Sequence, residues 1–147
     1  MTREKDTVSP VDALAIAAIL TEYCYLVDHG RAAECQLLFA SKSTLTFGAG
    51  TSRPMTLAGI EAIRGFFQTR QTQTHVTTRH IASNFRVTAR ADGNIEADSI
   101  LSLYRSEVAA HEPTAPVIAD VHDVLSRSPD GLWQIETRVI APIFVKS

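Results

Sequence analysis

Between Gln71 and His75 the hydrophobic pattern of the chain changes period. Before that point apolar residues recur at helical spacing; after it, long stretches with strand character run to the end, broken by tight turn signals. A period of 3.6 residues gathers side chains on one helix face, and a period of 2 gathers them on one sheet face. A chain that uses them in sequence builds helices first and a sheet afterwards. Helices segregated to one face of a largely antiparallel sheet give an α+β fold.

Ser9-Pro10-Val11-Asp12 reads as a helix start, with Ser9 as N-cap, Pro10 at the first helical position and Asp12 placed to reach back to the cap. The spacing predicts a helix over about residues 10–28 that buries Ile16, Ile19, Leu20, Tyr23, Leu26 and Val27, with Gly30 ending it in the left-handed conformation. A short helix over 31–40 would turn Cys35, Leu38 and Phe39 inward. Residues 45–47 read as a strand, Gly48 and Gly50 as the turn after it, and 58–71 as a helix burying Ile60, Ile63 and Phe67. Strands are predicted at about 76–90, 95–108, 117–127 and 132–144. Asp92-Gly93-Asn94 and Pro129-Asp130-Gly131 supply the tight connections, and Glu112-Pro113-Thr114-Ala115-Pro116 a looser one. Such a sheet curves around the helices and leaves a pocket at its open end, where function is to be sought.

With 147 residues, 45% hydrophobic and 20% charged, the chain suits one domain over 1–147 with a polar tail of about nine residues. The net charge of -2, with scattered Lys and Arg, gives no footprint for nucleic acid or an anionic membrane. Its longest apolar run, residues 14–20, is far short of the roughly 20 residues of a membrane span. Residues 1–9 show no secretory signal, so a soluble cytoplasmic protein is expected. Cys24 and Cys35 have no metal-ligand spacing and read as reduced, buried thiols.

The best lead to chemistry is His80 paired with Asp28. Asp28 closes the first helix, where unpaired carbonyls disfavour a carboxylate and invite a cationic or hydrogen-bonding partner. Its alternatives are solvation or a local pairing with Arg31. His80 shares a strand face with Ala82 and Asn84, a small and polar strip that suits a pocket lining, while Ile81, Phe85 and Val87 share the other. An imidazole titrates near neutrality, and a carboxylate beside it fixes its tautomer and raises its basicity. Tyr23 and Tyr104 are candidates to point a phenol at a developing oxyanion. Asp123 lies on one strand face with Val121 and Leu125, so it enters the cavity or is paired. His122, on the other face with Asp120, is the alternative imidazole if the faces are reversed. The five histidines, 29, 75, 80, 111 and 122, form no local metal-binding pair, Gly48-Ala49-Gly50 lacks a dinucleotide fingerprint, and no nucleophile elbow is present.

In order and spacing these residues resemble the SnoaL-like group of the nuclear transport factor 2-like superfamily. The resemblance rests on Tyr23-x4-Asp28-x-Gly30-Arg31, Phe39, Gly59-Ile60-Glu61-Ala62-Ile63 before Phe66-Phe67, Thr78-Arg79-His80 with Asn84, and Asp123 before Asp130-Gly131-x-Trp133-x-Ile135. It implies a cone-shaped, curved antiparallel sheet wrapped around N-terminal helices, a pocket between them, and frequently a homodimer through the sheet. That fold hosts dehydratases, steroid isomerases, polyketide cyclases, epoxide hydrolases and non-catalytic subunits, so the fold does not name a reaction. In scytalone dehydratase, an Asp at the end of helix one holds a His from the strand matching that of His80, and Asp28 and His80 match those two residues. That enzyme also uses a second His on the next strand, and here the chain departs from it: the nearest positions are Tyr104 and Arg105.

Two expectations follow from the resemblance. The first is a cofactor-independent lyase or isomerase in which His80, oriented by Asp28, moves a proton next to a carbonyl of a small, largely apolar cyclic substrate of polyketide, aromatic or steroid type. Tyr23, Tyr104, Asn84 and Asp123 would then contact the substrate. The second is a non-catalytic binding or scaffold protein resembling the β-subunit of ring-hydroxylating dioxygenases, although nothing in the sequence points to an iron-containing partner.

Overall fold

A computed structural model describes residues 7–108 and 111–144. Most of the expected polar tail lies outside the described residues.

Helix α1 (Pro10–Asp28) begins and ends at the anticipated residues. Its start is fixed twice. The Asp12 amide donates to Ser9 Oγ at 3.1 Å, and Asp12 Oδ1 accepts from Trp133 Nε1 at 2.9 Å and from Arg127 Nη2 at 2.8 Å. Asp12, whose amide the cap holds, therefore also ties the helix to the far end of the sheet. At the other end Gly30 takes φ +75°, and the chain turns into a 3-10 helix (Ala32–Leu38). By length and composition α1 is apolar enough to cross a membrane. Its apolar stripe, however, goes into the core: Ile16, Leu20, Tyr23, Cys24, Leu26 and Val27 are buried.

Six strands form one sheet in the order β2-β1-β6-β5-β4-β3. Strands β3 (Thr77–Ala89), β4 (Ile95–Ser106), β5 (Val117–Arg127) and β6 (Trp133–Pro142) make the expected antiparallel meander. Strand β1 (Phe39–Phe47) then lies parallel to β6, and β2 (Met55–Ala58) pairs antiparallel with β1 at the edge. Two features depart from the sequence reading. Strand β1 begins six residues earlier than anticipated and takes in Phe39, because Ser41, Lys42 and Ser43 mask its apolar alternation. The short strand β2 has too few residues to register a period.

Helix α2 (Ile60–Thr72) packs with α1 and the 3-10 helix inside the curve of the sheet. Ile63 and Phe67 are fully buried, and Phe67 meets Tyr23 edge-on at 5.7 Å between ring centroids. Burial of each such side chain is worth about 1.5–3 kcal/mol. Cys24 and Cys35 are free and buried, and burial pushes their thiols up to about 11 and about 12, which makes them poor nucleophiles.

A bulge interrupts β3 between Ser83 and Arg86, with Asn84 at φ 57°. It reverses the alternation. Ala82 packs on the core before the bulge and Val87 after it, so the face expected to continue from His80 through Asn84 breaks off.

Candidate active site

The packing of α1 against β3 brings the end of the helix to the start of the strand. Asp28 there receives three hydrogen bonds. His80 Nδ1 lies 2.6 Å from Oδ1, the His80 amide donates to Oδ2 at 2.7 Å, and Thr78 Oγ1 donates to Oδ1 at 2.8 Å. Arg31, the local partner considered for Asp28, turns instead to Glu34 at 2.6 Å. Burial pushes the Asp28 carboxyl up, but the hydrogen bonds and charge of His80, together with the Thr78 hydroxyl, outweigh it. The group stays below the ordinary carboxylate range and ionised.

An ionised carboxylate only accepts hydrogen bonds, so the proton between the two side chains belongs to His80 Nδ1. In the neutral ring Nε2 then carries the lone pair. Among the described residues Nε2 has no hydrogen-bond partner, and His80 lines a cavity of about 380 Å³. The pair is sheltered, with His80 11% and Asp28 5% exposed in their side chains. Tyr23, Phe47, Phe66 and Phe67 supply much of the apolar lining. Burial drives the Tyr23 hydroxyl well above its ordinary range, so it remains a neutral phenol and a hydrogen-bond donor.

The other expected contacts lie elsewhere. Tyr104 is on the outer face of β4: its neighbours Leu103 and Arg105 line the cavity, and it does not. Asn84 is carried by the bulge into a shallow groove on the outer face, with Asp98 and His122. His122 is therefore not the cavity imidazole. It pairs with Asp98 at 2.7 Å, both side chains being about half exposed, at 44% and 52%.

Asp123 faces inward as its alternation predicts, but it is wholly buried and is not part of the cavity wall. It stands opposite Arg138 on β6, Oδ1 to Nη1 3.6 Å, and Arg138 in turn stacks on the Tyr23 ring at 4.2 Å. Neither carboxylate oxygen has a hydrogen bond from the described residues. Burial pushes Asp123 up to about 6, against the downward pull of Arg138 and His122. Asp123 is thus linked to the cavity wall only through Arg138 and the Tyr23 ring, not in the place expected of a substrate contact.

A family model for SnoaL-like domains matches residues 11–139, nearly the whole span from α1 to β6. The chain belongs to the SnoaL-like family. No curated protein gives a significant sequence match. Among solved structures, this SnoaL-like protein is similar to one from Novosphingobium aromaticivorans DSM 12444 proposed to be a scytalone dehydratase. The TM-score is 0.77 at 17% identity, over 91% of this chain and 85% of the other. It is similar also to a nuclear transport factor 2-like protein with a cystatin-like fold from Novosphingobium aromaticivorans, with TM-score 0.75, 18% identity, and 93% and 85% coverage. A third, from Catenulispora acidiphila and solved in complex with S-DNPA, has TM-score 0.71 and 19% identity, over 91% and 95% of the two chains. At such identities the likeness defines the fold, a nuclear transport factor 2-like cone.

Two contributors to the SnoaL-like site escaped the sequence reading. Thr78 shares the face of His80 two residues away, so period 2 alone would have found it. Arg70 lies three residues after Phe67 on α2, and its Nη2 donates to Thr78 Oγ1 at 3.2 Å. Helical spacing from Phe67 points to it.

Proposed function

We propose that this SnoaL-like protein is a small-molecule lyase or isomerase that removes a proton next to a carbonyl, with His80 Nε2 as the base. The observation that carries this reading is the 2.6 Å contact between His80 Nδ1 and Asp28, which leaves the other ring nitrogen free at the cavity. Asp28 holds the tautomer and stabilises the imidazolium formed when the proton arrives. Tyr23, a neutral phenol on the cavity wall, would donate to the enolate oxygen, a role that Tyr104 on the outer face would not fill. The imidazolium then returns its proton to another atom of the substrate, giving isomerisation, or to a departing hydroxyl, giving dehydration. These residues accomplish proton movement without a redox step.

The cavity suits a small cyclic compound, since its size lies at the lower end of ligand pockets and its lining is aromatic. The test is turnover of a panel of cyclic hydroxy-ketones by wild type, His80→Ala and Asp28→Asn. The expected loss in each variant is about 100- to 10,000-fold. Unchanged turnover in both would remove the dyad, and no turnover of the panel by wild type would leave the binding or scaffold reading.

The same proposal includes self-association through the outer face of the sheet, where Ile81, Tyr104 and Val139 are exposed. Sedimentation equilibrium should give twice the chain mass, and a monomer at micromolar concentration would contradict it.

A further inference from the structure

The charged groups around the cavity are unevenly distributed. Arg53, Arg70 and Arg105 line it against a single Glu107, in a chain whose formal charge is -2. Arg105 is already engaged, with Nε 2.6 Å from Glu107, and Arg53 is exposed. Arg70 differs from both. It is half-buried, and among the described residues no carboxylate lies within ion-pair distance of it. Arg31, Arg64 and Arg127 each hold a carboxylate at 2.6–2.8 Å, although they lie at the surface.

A guanidinium offers five donors in a planar fork. Arg70 uses two of its nitrogens on protein partners, both at long range: Nη1 to the Gln73 carbonyl at 3.5 Å and Nη2 to Thr78 Oγ1 at 3.2 Å. The second contact ties it to the active corner, because the same Thr78 hydroxyl donates to Asp28. Burial, and then the neighbouring Arg105, lower the Arg70 guanidinium from its ordinary range, while Asp28 and Glu107 pull the other way; the group stays a cation, and a ligand anion beside it would offset the burial.

From this arrangement we infer that the cavity accepts a carboxylate-bearing cyclic ligand whose carboxylate docks on Arg70. The inference rests on the reading of this cavity as the active site, and it narrows the substrate to apolar ring acids. Arg70 would set their orientation, presenting the carbon next to the carbonyl to His80 Nε2. A planar fork matches a carboxylate in a way that a point charge does not.

The experiment measures binding of 2-naphthoate and the isosteric neutral 2-naphthamide by calorimetry to wild type, Arg70→Gln, Arg70→Lys and His80→Ala. Wild type should bind the acid at least about tenfold more tightly than the amide, as expected for a charge-assisted hydrogen-bond pair. Arg70→Gln should lose that preference while keeping its affinity for the amide, which also reports an intact cavity. Arg70→Lys should keep part of the preference, and His80→Ala all of it. Equal affinities in wild type, failure to bind the acid, or a preference that survives Arg70→Gln or vanishes in His80→Ala would overturn the assignment. The catalytic reading fails separately, if turnover is indifferent to His80→Ala while the preference for the acid persists.

Discussion

Two histidines in this molecule make nearly the same bond to a carboxylate: His80 to Asp28 at 2.6 Å, and His122 to Asp98 at 2.7 Å. Only their surroundings differ. Asp28 sits at a helix end with two further donors on it and a cavity beyond the ring, whereas Asp98 and His122 are half in water on the outer face of the sheet. Water screens the outer pair and competes for its hydrogen bonds, so it contributes little. The inner pair is shielded, held at several points and open on one side to a ligand. A short His–carboxylate distance therefore identifies a candidate base only when burial and a cavity accompany it.

The widest separation between the two pairs is expected in turnover. His80→Ala or Asp28→Asn should cost about 100- to 10,000-fold, and His122→Ala nothing measurable. Comparable losses from the inner and outer histidines would erase the distinction. A large effect is expected next in stability, at Asp123. Removing it leaves Arg138 buried without a counter-charge, so chemical denaturation of Asp123→Ala at pH 7 should show a loss of about 3–5 kcal/mol. Replacing both residues together by Leu and Met should recover most of it.

The two buried carboxylates also oppose each other in pH dependence. Asp123 is raised in the folded state from 3.8 to about 6, so the fold binds its proton more tightly than the unfolded chain does. The stability that comes from holding this proton is full below about pH 4 and is lost as pH rises through about 6, where the ionised carboxylate still offsets the buried Arg138 charge. Asp28 is lowered, so its contribution is present above 3.8 and disappears as pH falls through its folded value. Denaturation of wild type and Asp123→Asn between pH 4 and 7 should show wild type losing stability relative to the variant as pH rises, and the opposite slope would contradict the assignment.

A smaller effect is expected at Thr78→Val, which removes one donor from Asp28 and loosens Arg70. The stability loss should be about 1–2 kcal/mol. The smallest belongs to Asp98→Asn, within about 0.5 kcal/mol of wild type, because the outer pair is exposed.

Much of this arrangement is legible in the chain. Ser9 and Pro10 mark the helix start because capping is local, and Asp28 with His80 stands out because a carboxylate at a helix C-terminus requires a partner. What is hidden depends on tertiary geometry. The bulge at Asn84 breaks an alternation that the sequence continues, and Tyr104 follows the face of its own strand, which no residue type announces. Arg138 is opaque for a related reason: a second bulge, between Val124 and Leu125, shifts the register of β5 against β6, and an arginine inside a core contradicts composition. Arg70 lies at the end of a stripe whose other members, Ile63 and Phe67, read as core, so its opening onto a cavity appears only when the sheet curves over it.

Nitrogen-15 NMR of the histidine rings tests the central claim most directly. At a pH where the His80 ring is neutral, the proton should reside on Nδ1 and the lone pair on Nε2, and Asp28→Asn should release this fixed tautomer. A neutral His80 protonated on Nε2, or a ring indifferent to Asp28→Asn, would contradict the account.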